Sequence, residues 1–362
     1  AAAARAWLDG DFARSMRLYG DIVVEYPRDL LAVQVAHVGD FFLGQSTLLR
    51  DRMTQVLPHW NEAVPGYGYV LGMYAFGLEE TADYAGAEAK GRRALELNPR
   101  DPWAVHAVAH VMEMQGRLRD GIDWLTTRQA DWSIDNGLAY HNWWHLGLFH
   151  LDLGDAARAV ELYDTCIRPG QSSVALEMVD ASAMLWRLML RGVDVGARWQ
   201  PLADSWRPLA TEGFYAFNDA HAVMALVGAG RWDEVDEVLA VLESAASGQG
   251  TNAMMSREVG LPVARAFAAF GRGRYETAID ALLQVRGHAN RFGGSHAQRD
   301  IVHLTLIESA LRAGRASLAR ALAEERIAVK PTSPFNWRLA ARALAAAGRG
   351  DASRQALENA AT

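Results

Sequence analysis

His106 and His110 are four residues apart, as are His141 and His145. That interval puts both rings of a pair on one face of an α-helix, about one turn apart. Imidazole is the side chain that changes charge near neutral pH, moves protons, or offers a nitrogen lone pair to a metal. Glu79, Glu80 and Glu113 supply carboxylates in or near the same segments. Two chemistries suit this set. A helical histidine pair gives Zn²⁺, Mn²⁺ or Fe²⁺ two ligands and a glutamate the third. Alternatively, His106, His110, His141, His145, Glu79 and Glu113 act as general acids and bases in a partly dry pocket, with no metal. The interval alone is a weak motif, because buried helix faces also carry hydrogen-bonded histidines as core fillers. Two pairs 35 residues apart strengthen the case for a site.

The second pair sits in His141-Asn142-Trp143-Trp144-His145, within a chain of 12 tryptophans. Most tryptophans fill gaps between helices; on the functional reading Trp103, Trp144 and Trp186 form an aromatic wall for a sugar or an aromatic ligand, beside polar Asn142. Three further polar clusters fall at or near helix starts: Asn218, Asp219 and His221; Arg257 and Glu258 after Thr251-Asn252; and His296 and Arg299 after Gly293-Gly294-Ser295. Free N–H groups at helix N-termini favour anions. These clusters are expected to cap one end of a pocket, with Arg257 or Arg299 holding a carboxylate.

The elements that must position these groups are announced by a recurring turn. Gly10-Asp11-Phe12, Gly230-Arg231-Trp232 and Gly273-Arg274-Tyr275 separate apolar helical stretches, with weaker relatives at Gly44, Ala82, Gly116, Gly154, Gly192, Gly314 and Gly348. Successive turns lie 34, 38, 34, 38, 38, 38, 43, 41 and 34 residues apart, close to the tetratricopeptide period of about 34. Pro99 stops one helix, Asp101 caps the next and Pro102 opens it; Pro331 to Pro334 repeats that stop. The sequence predicts an all-α, tetratricopeptide-like solenoid of helical hairpins, a right-handed superhelix that could close around a central pocket. About ten units fill residues 1–362 as one domain. Residues about 3, 6 and 9–10 before each turn are expected to face inward, which places Glu79, His106, His110, Glu113, His145 and, one turn earlier, His141 on the inner wall, with His221 two repeats further on.

Composition narrows the function. A net charge of −7 with scattered arginines offers no field for a phosphate backbone, which argues against nucleic acid. No apolar run reaches the length that spans a bilayer, so no membrane segment is expected. A single cysteine, Cys166, excludes an internal disulfide and fits a cytoplasmic location. Residue 1 opens an Ala-rich stretch that reads as the middle of a helix and not as a signal peptide, so the first unit is expected to be incomplete.

The strings that carry this chemistry also carry a resemblance. Residues 69–80, residues 103–111, His141-Asn142-Trp143-Trp144-His145, Phe217-Asn218-Asp219-Ala220-His221 and residues 292–300 together resemble the tetratricopeptide-repeat-protein-38 family over nearly the whole chain. The resemblance implies a fold, and more helical sequence before residue 1, but no established reaction or catalytic set. The reading that follows is a solenoid enclosing a small-molecule site lined by His, Glu and Trp. A hydrolase, lyase or isomerase acting on a small glycosyl or amino-acid conjugate is expected, since no dinucleotide fingerprint or redox cysteine pair is present. A divalent metal is the cofactor such a site could hold. The rival is a non-enzymatic adaptor that binds a peptide or protein partner in its concave groove.

Overall fold

The computed structural model describes residues 1–361, and among these every regular element is a helix. Each predicted turn residue, from Gly10 to Gly348, lies in the left-handed region with φ between 64° and 101°, including Ala82 at 65°. The same hydrogen bond closes each turn: the residue after it donates its N–H to the carbonyl five back, as in Asp83 to Leu78 and Arg117 to Met112, 2.9 and 2.8 Å. This is a Schellman closure, and it explains why the position selects glycine: only a residue without Cβ adopts positive φ freely. Between turns the predicted stops appear where expected. Asp101 accepts from the N–H groups of Trp103 and Ala104 with Pro102 at the first helical position, and Ser333 caps the helix opened by Pro334.

The result is a succession of antiparallel helical hairpins, for example Tyr67–Glu80 with Tyr84–Leu97, Pro102–Met114 with Leu118–Thr127, and Ala175–Leu190 with Trp199–Trp206. The class is a tetratricopeptide-like solenoid. Its first helix, Ala2–Leu8, has seven residues. The two long spacings have local causes: a π-turn at Ser256–Gly260 lengthens one first helix, and a short 3-10 turn at Ala289–Phe292 precedes the 17-residue helix His296–Arg312. Single-turn π insertions of this kind add a residue without breaking a helix.

Helical hairpins bury one side only, so stability comes from stacking. Here the stacking also runs across the superhelix. The Tyr215 hydroxyl donates to Phe42 O at 2.7 Å, the Ala13 N–H to Thr251 Oγ1 at 3.0 Å, and the His296 N–H to Glu80 Oε1 at 3.0 Å. Deeper in, Trp186 Nε1 donates to Thr305 Oγ1 at 3.0 Å and Arg187 Nη2 to Ala297 O at 2.6 Å. Nearer the C-terminus Arg338 reaches Asp152 O at 2.6 Å. The late units thus fold back over the inner wall of the early ones. No helix among the described residues is long and apolar enough to cross a membrane.

Candidate functional site

The inner faces of Tyr67–Glu80, Pro102–Met114, Ala139–Leu153 and Ala175–Leu190 meet at the centre of this closure. Small residues let them approach: a Cβ on Gly72 would stand 3.2 Å from Ala104 Cβ. The predicted stripe is buried throughout, with Glu79, His106, His110, Glu113, His141 and His145 between 0% and 7% exposed.

Four imidazoles from two adjacent units form one cluster. Five of the six ring pairs have centroids 4.4–5.1 Å apart, and one nitrogen from each ring lies within 4.8 Å of the corresponding nitrogens of the others. Carboxylates stand behind three of the rings. His141 Nδ1 is 2.6 Å from Asp180 Oδ2, His145 Nδ1 is 3.0 Å from Glu113 Oε2, and His110 Nδ1 is 3.4 Å from Glu79 Oε2. His106 has no carboxylate; its Nε2 is 3.1 Å from His141 Nε2, and its Nδ1 is buried without a partner.

Burial sets the charge state. It pushes the pKa of His106 and His145 well below the ordinary value, helped by the neighbouring imidazoles, and lowers that of His110 to about 4. Burial, with the nearby Glu80 charge, raises Glu79 well above the carboxylate range. His106, His110 and His145 are therefore neutral imidazoles whose lone pairs are available at neutral pH. Both His110 nitrogens, His145 Nε2 and both Glu79 oxygens lack hydrogen-bond partners. Such orphaned groups are rare in native interiors and call for an occupant.

The remaining candidates are distributed around this centre. Trp144 stacks on His141, centroids 5.3 Å apart, and carries the Arg187 guanidinium over its ring; Asn142 donates to Pro102 O at 3.4 Å. Trp144 and Trp186 have no exposed face, so neither can stack on a sugar, and the aromatic wall expected of them is instead interior packing; Trp103 donates to His37 Nε2 at 3.2 Å. Glu80 accepts from Ser46 and from the His296 N–H, with Arg299 Nη2 3.6 Å away. His221 does not join the cluster: its Nδ1 stands 2.8 Å from its own helix's Phe217 O. Asn218 lines a small apolar cavity with Phe42 and Phe214, and Asp219 is buried with Oδ2 unpartnered. Arg257 donates to Ala246 O at 3.0 Å and Glu258 pairs with Arg291, so both are engaged away from the centre.

Three contributors escape the stripe. Asp180 lies twelve residues before Gly192, one turn beyond the inward positions counted back from each turn; extending the count by that turn finds it. Lys330, 3.7 Å from Glu113 Oε1, and Arg187, 3.3 Å from Ala183 O, enter through closure and through an off-stripe position, and no sequence signal marks them. Lys330 also lines a cavity of about 240 Å³ with His296, His303 and Asn336, which adjoins a larger one of about 480 Å³ lined by Ser46, Arg286 and Arg299.

No family model matches the chain. Among solved structures it is similar to a chain of the APC/C hetero-tetramer Cut9–Hcn1, at 16% identity and TM-score 0.47, covering 94% of this chain and 54% of that one. It is also similar to human IFIT1 in its dimer with PPP-AAAA, at 12% identity and TM-score 0.39, covering 99% and 88%. A third is yeast Tom70, at 11% identity and TM-score 0.29, covering 99% and 90%. The chain thus spans about half the length of the first of these.

Proposed function

We propose that the four-histidine cluster is a divalent transition-metal centre and that the protein's activity depends on it. One observation carries this reading: four buried imidazoles each bring a ring nitrogen within 4.8 Å of the others, and carboxyl groups stand beside Nδ1 of three of them. A carboxylate behind a ligating histidine fixes the tautomer and the ring orientation that metal binding needs. Imidazole donors suit Zn, Fe, Ni or Cu, and Zn²⁺ adds Lewis-acid chemistry without redox. Hydrolysis, elimination or isomerisation of a small polar conjugate, with amino-acid conjugates favoured over glycosyl ones, is the reaction class that goes with such a centre. Membership of the tetratricopeptide-repeat-protein-38 family and a cytoplasmic location belong to the same proposal.

The test is elemental analysis of tag-free protein, wild type against His110→Ala/His145→Ala. Near-stoichiometric Zn, Fe, Ni or Cu in the wild type and its loss in a still-helical variant supports the centre. A metal-free wild type that also fails to take up added Zn²⁺ or Co²⁺ refutes it.

A second reading, an adaptor for a protein partner, is favoured by one observation. The inner wall of the first units carries an apolar groove of about 650 Å³ lined by Trp7, Leu8, Tyr19, Leu31, Val35 and Phe42, with Leu8 and Leu31 more than 70% exposed. Open apolar surface of this kind is what an amphipathic partner helix covers. Cross-linking that captures one protein with the wild type but not with Leu31→Glu supports it; identical capture by both sinks it.

A further inference from the structure

We infer that His106 is the exchangeable ligand of the centre, so that the metal has three fixed protein ligands and one position open to water or a small anion. This rests on the metal reading above. The four imidazoles are not equivalent. His110, His141 and His145 each have a carboxylate behind Nδ1, at 3.4, 2.6 and 3.0 Å. A carboxylate hydrogen-bonded at Nδ1, as for His141 and His145, favours the tautomer with its lone pair on Nε2, and Glu79 stands near enough to His110 Nδ1 to do the same once a metal takes the other nitrogen.

His106 has no such partner. With its Nε2 on a metal, its Nδ1 would carry the proton, and that atom is buried with nothing to accept it. Its surroundings are aromatic: Phe76 and Trp103, with ring centroids 5.2 and 5.0 Å away, supply no acceptor. A metal bond from His106 therefore leaves a buried donor unpaired, a cost that His141 and His145 do not bear and that Glu79 Oε2, 3.4 Å from His110 Nδ1, is placed to relieve for His110. His106 is the ligand that yields first. Three fixed nitrogens with a fourth, replaceable position is the arrangement of a reactive zinc site, whereas four equally held ligands make a closed structural one.

Charge near the centre favours an anion in the vacated position. Arg187 is buried, with its guanidinium over the Trp144 ring that stacks on His141. Lys330 reaches Glu113, the carboxylate behind His145, from the adjoining 240 Å³ cavity. Azide, a small monoanion that ligates cobalt and zinc, is a suitable probe.

The experiment uses the full chain loaded with Co²⁺, whose visible bands report coordination number, and Zn²⁺ affinities from chelator competition. His106→Ala should keep near-stoichiometric metal with its affinity lowered by less than about 10-fold, while His110→Ala, His141→Ala and His145→Ala each lose about 100-fold or more. Azide should shift the cobalt bands of the wild type saturably. Equal losses for all four alanine variants, or wild-type cobalt bands insensitive to azide, overturn the inference and leave a closed metal site standing. A wild type that takes up neither metal overturns the metal reading itself, and this inference with it. Because the azide titration uses the wild type, the outcome stands even where a variant fails to fold.

Discussion

His141 Nε2 and His106 Nε2 face each other 3.1 Å apart across two adjacent repeats. Asp180 Oδ2, 2.6 Å from His141 Nδ1, favours the tautomer in which Nδ1–H donates to it and Nε2 carries the lone pair. Without a metal, His106 must donate from Nε2 to satisfy it; with a metal, both lone pairs turn to one cation. Asp180 thereby selects the tautomer of His141. Asp180→Asn, which removes the charge but little of the volume, is expected to weaken Zn²⁺ binding about 10–100-fold. Chelator competition on the folded variant checks this, and an unchanged affinity would remove Asp180 from the centre.

Asp219 predicts a pH dependence. Burial, then the charge of Glu212, pushes its carboxyl up to about 8. The folded chain keeps a proton that the unfolded chain has lost above about pH 4, so this residue makes stability fall as pH rises from about 4 to about 8. The buried His37 and His110, lowered to about 3 and about 4, act with the opposite sign, since below about 6.5 the unfolded chain takes up protons that they refuse. Asp219→Asn cancels only the first effect. Relative to wild type it should gain stability steadily with pH across that window, by at most about 1.4 kcal/mol per unit. Urea midpoints from mildly acidic to mildly alkaline pH measure it, and parallel curves for the two chains would rule it out.

Gly10 and Gly44 occupy the same turn position but meet different surroundings. A Cβ on Gly10 has open space, whereas one on Gly44 would lie 1.8 Å from Asn290 O, in a unit far along the chain. Gly10→Ala should cost about 1–2 kcal/mol, the strain of positive φ. Gly44→Ala adds a clash with backbone and should lose about 2–5 kcal/mol. Equal losses by chemical denaturation would mean that the closure at Gly44 does not form in solution.

Glu80 tests the closure from its other side. Although burial pushes its carboxyl up, His296 and Arg299 hold it below the ordinary value. Glu80→Ala strands the Ser46 hydroxyl and the His296 N–H, and should cost about 1–3 kcal/mol. Amide exchange should quicken in residues 293–299. Protection unchanged there would show that the late units are held by apolar packing alone.

Much of this was legible in the sequence for specific reasons. Ten turns could be read because a left-handed residue after a helix all but demands glycine, and one closure chemistry was repeated. His106, His110, His141, His145, Glu79 and Glu113 could be assigned to the inner wall because the helical period carries a known turn back to the face of the preceding helix. Asp180 falls outside the inward positions because it stands one turn further from Gly192 than they reach, as His141 does from Gly154. Arg257 and Glu258, expected near a helix start, stand apart from the centre because they lie in the π-turn Ser256–Gly260 that follows the short helix Thr251–Met255.

What the sequence determined by itself is therefore local: helices, turns, caps and the face each side chain presents, all set by interactions within a few residues. Only the tertiary structure decided that the late units return to the early ones, bringing Lys330 to Glu113 and the Arg299 guanidinium to Glu80. It also decided that Nδ1 of His110, His141 and His145 stands beside a carboxyl group while His106 has none. Those outcomes depend on the small rotation between successive hairpins, summed over many repeats. A few degrees per unit separate an open groove from a closed core, and no single residue encodes that sum.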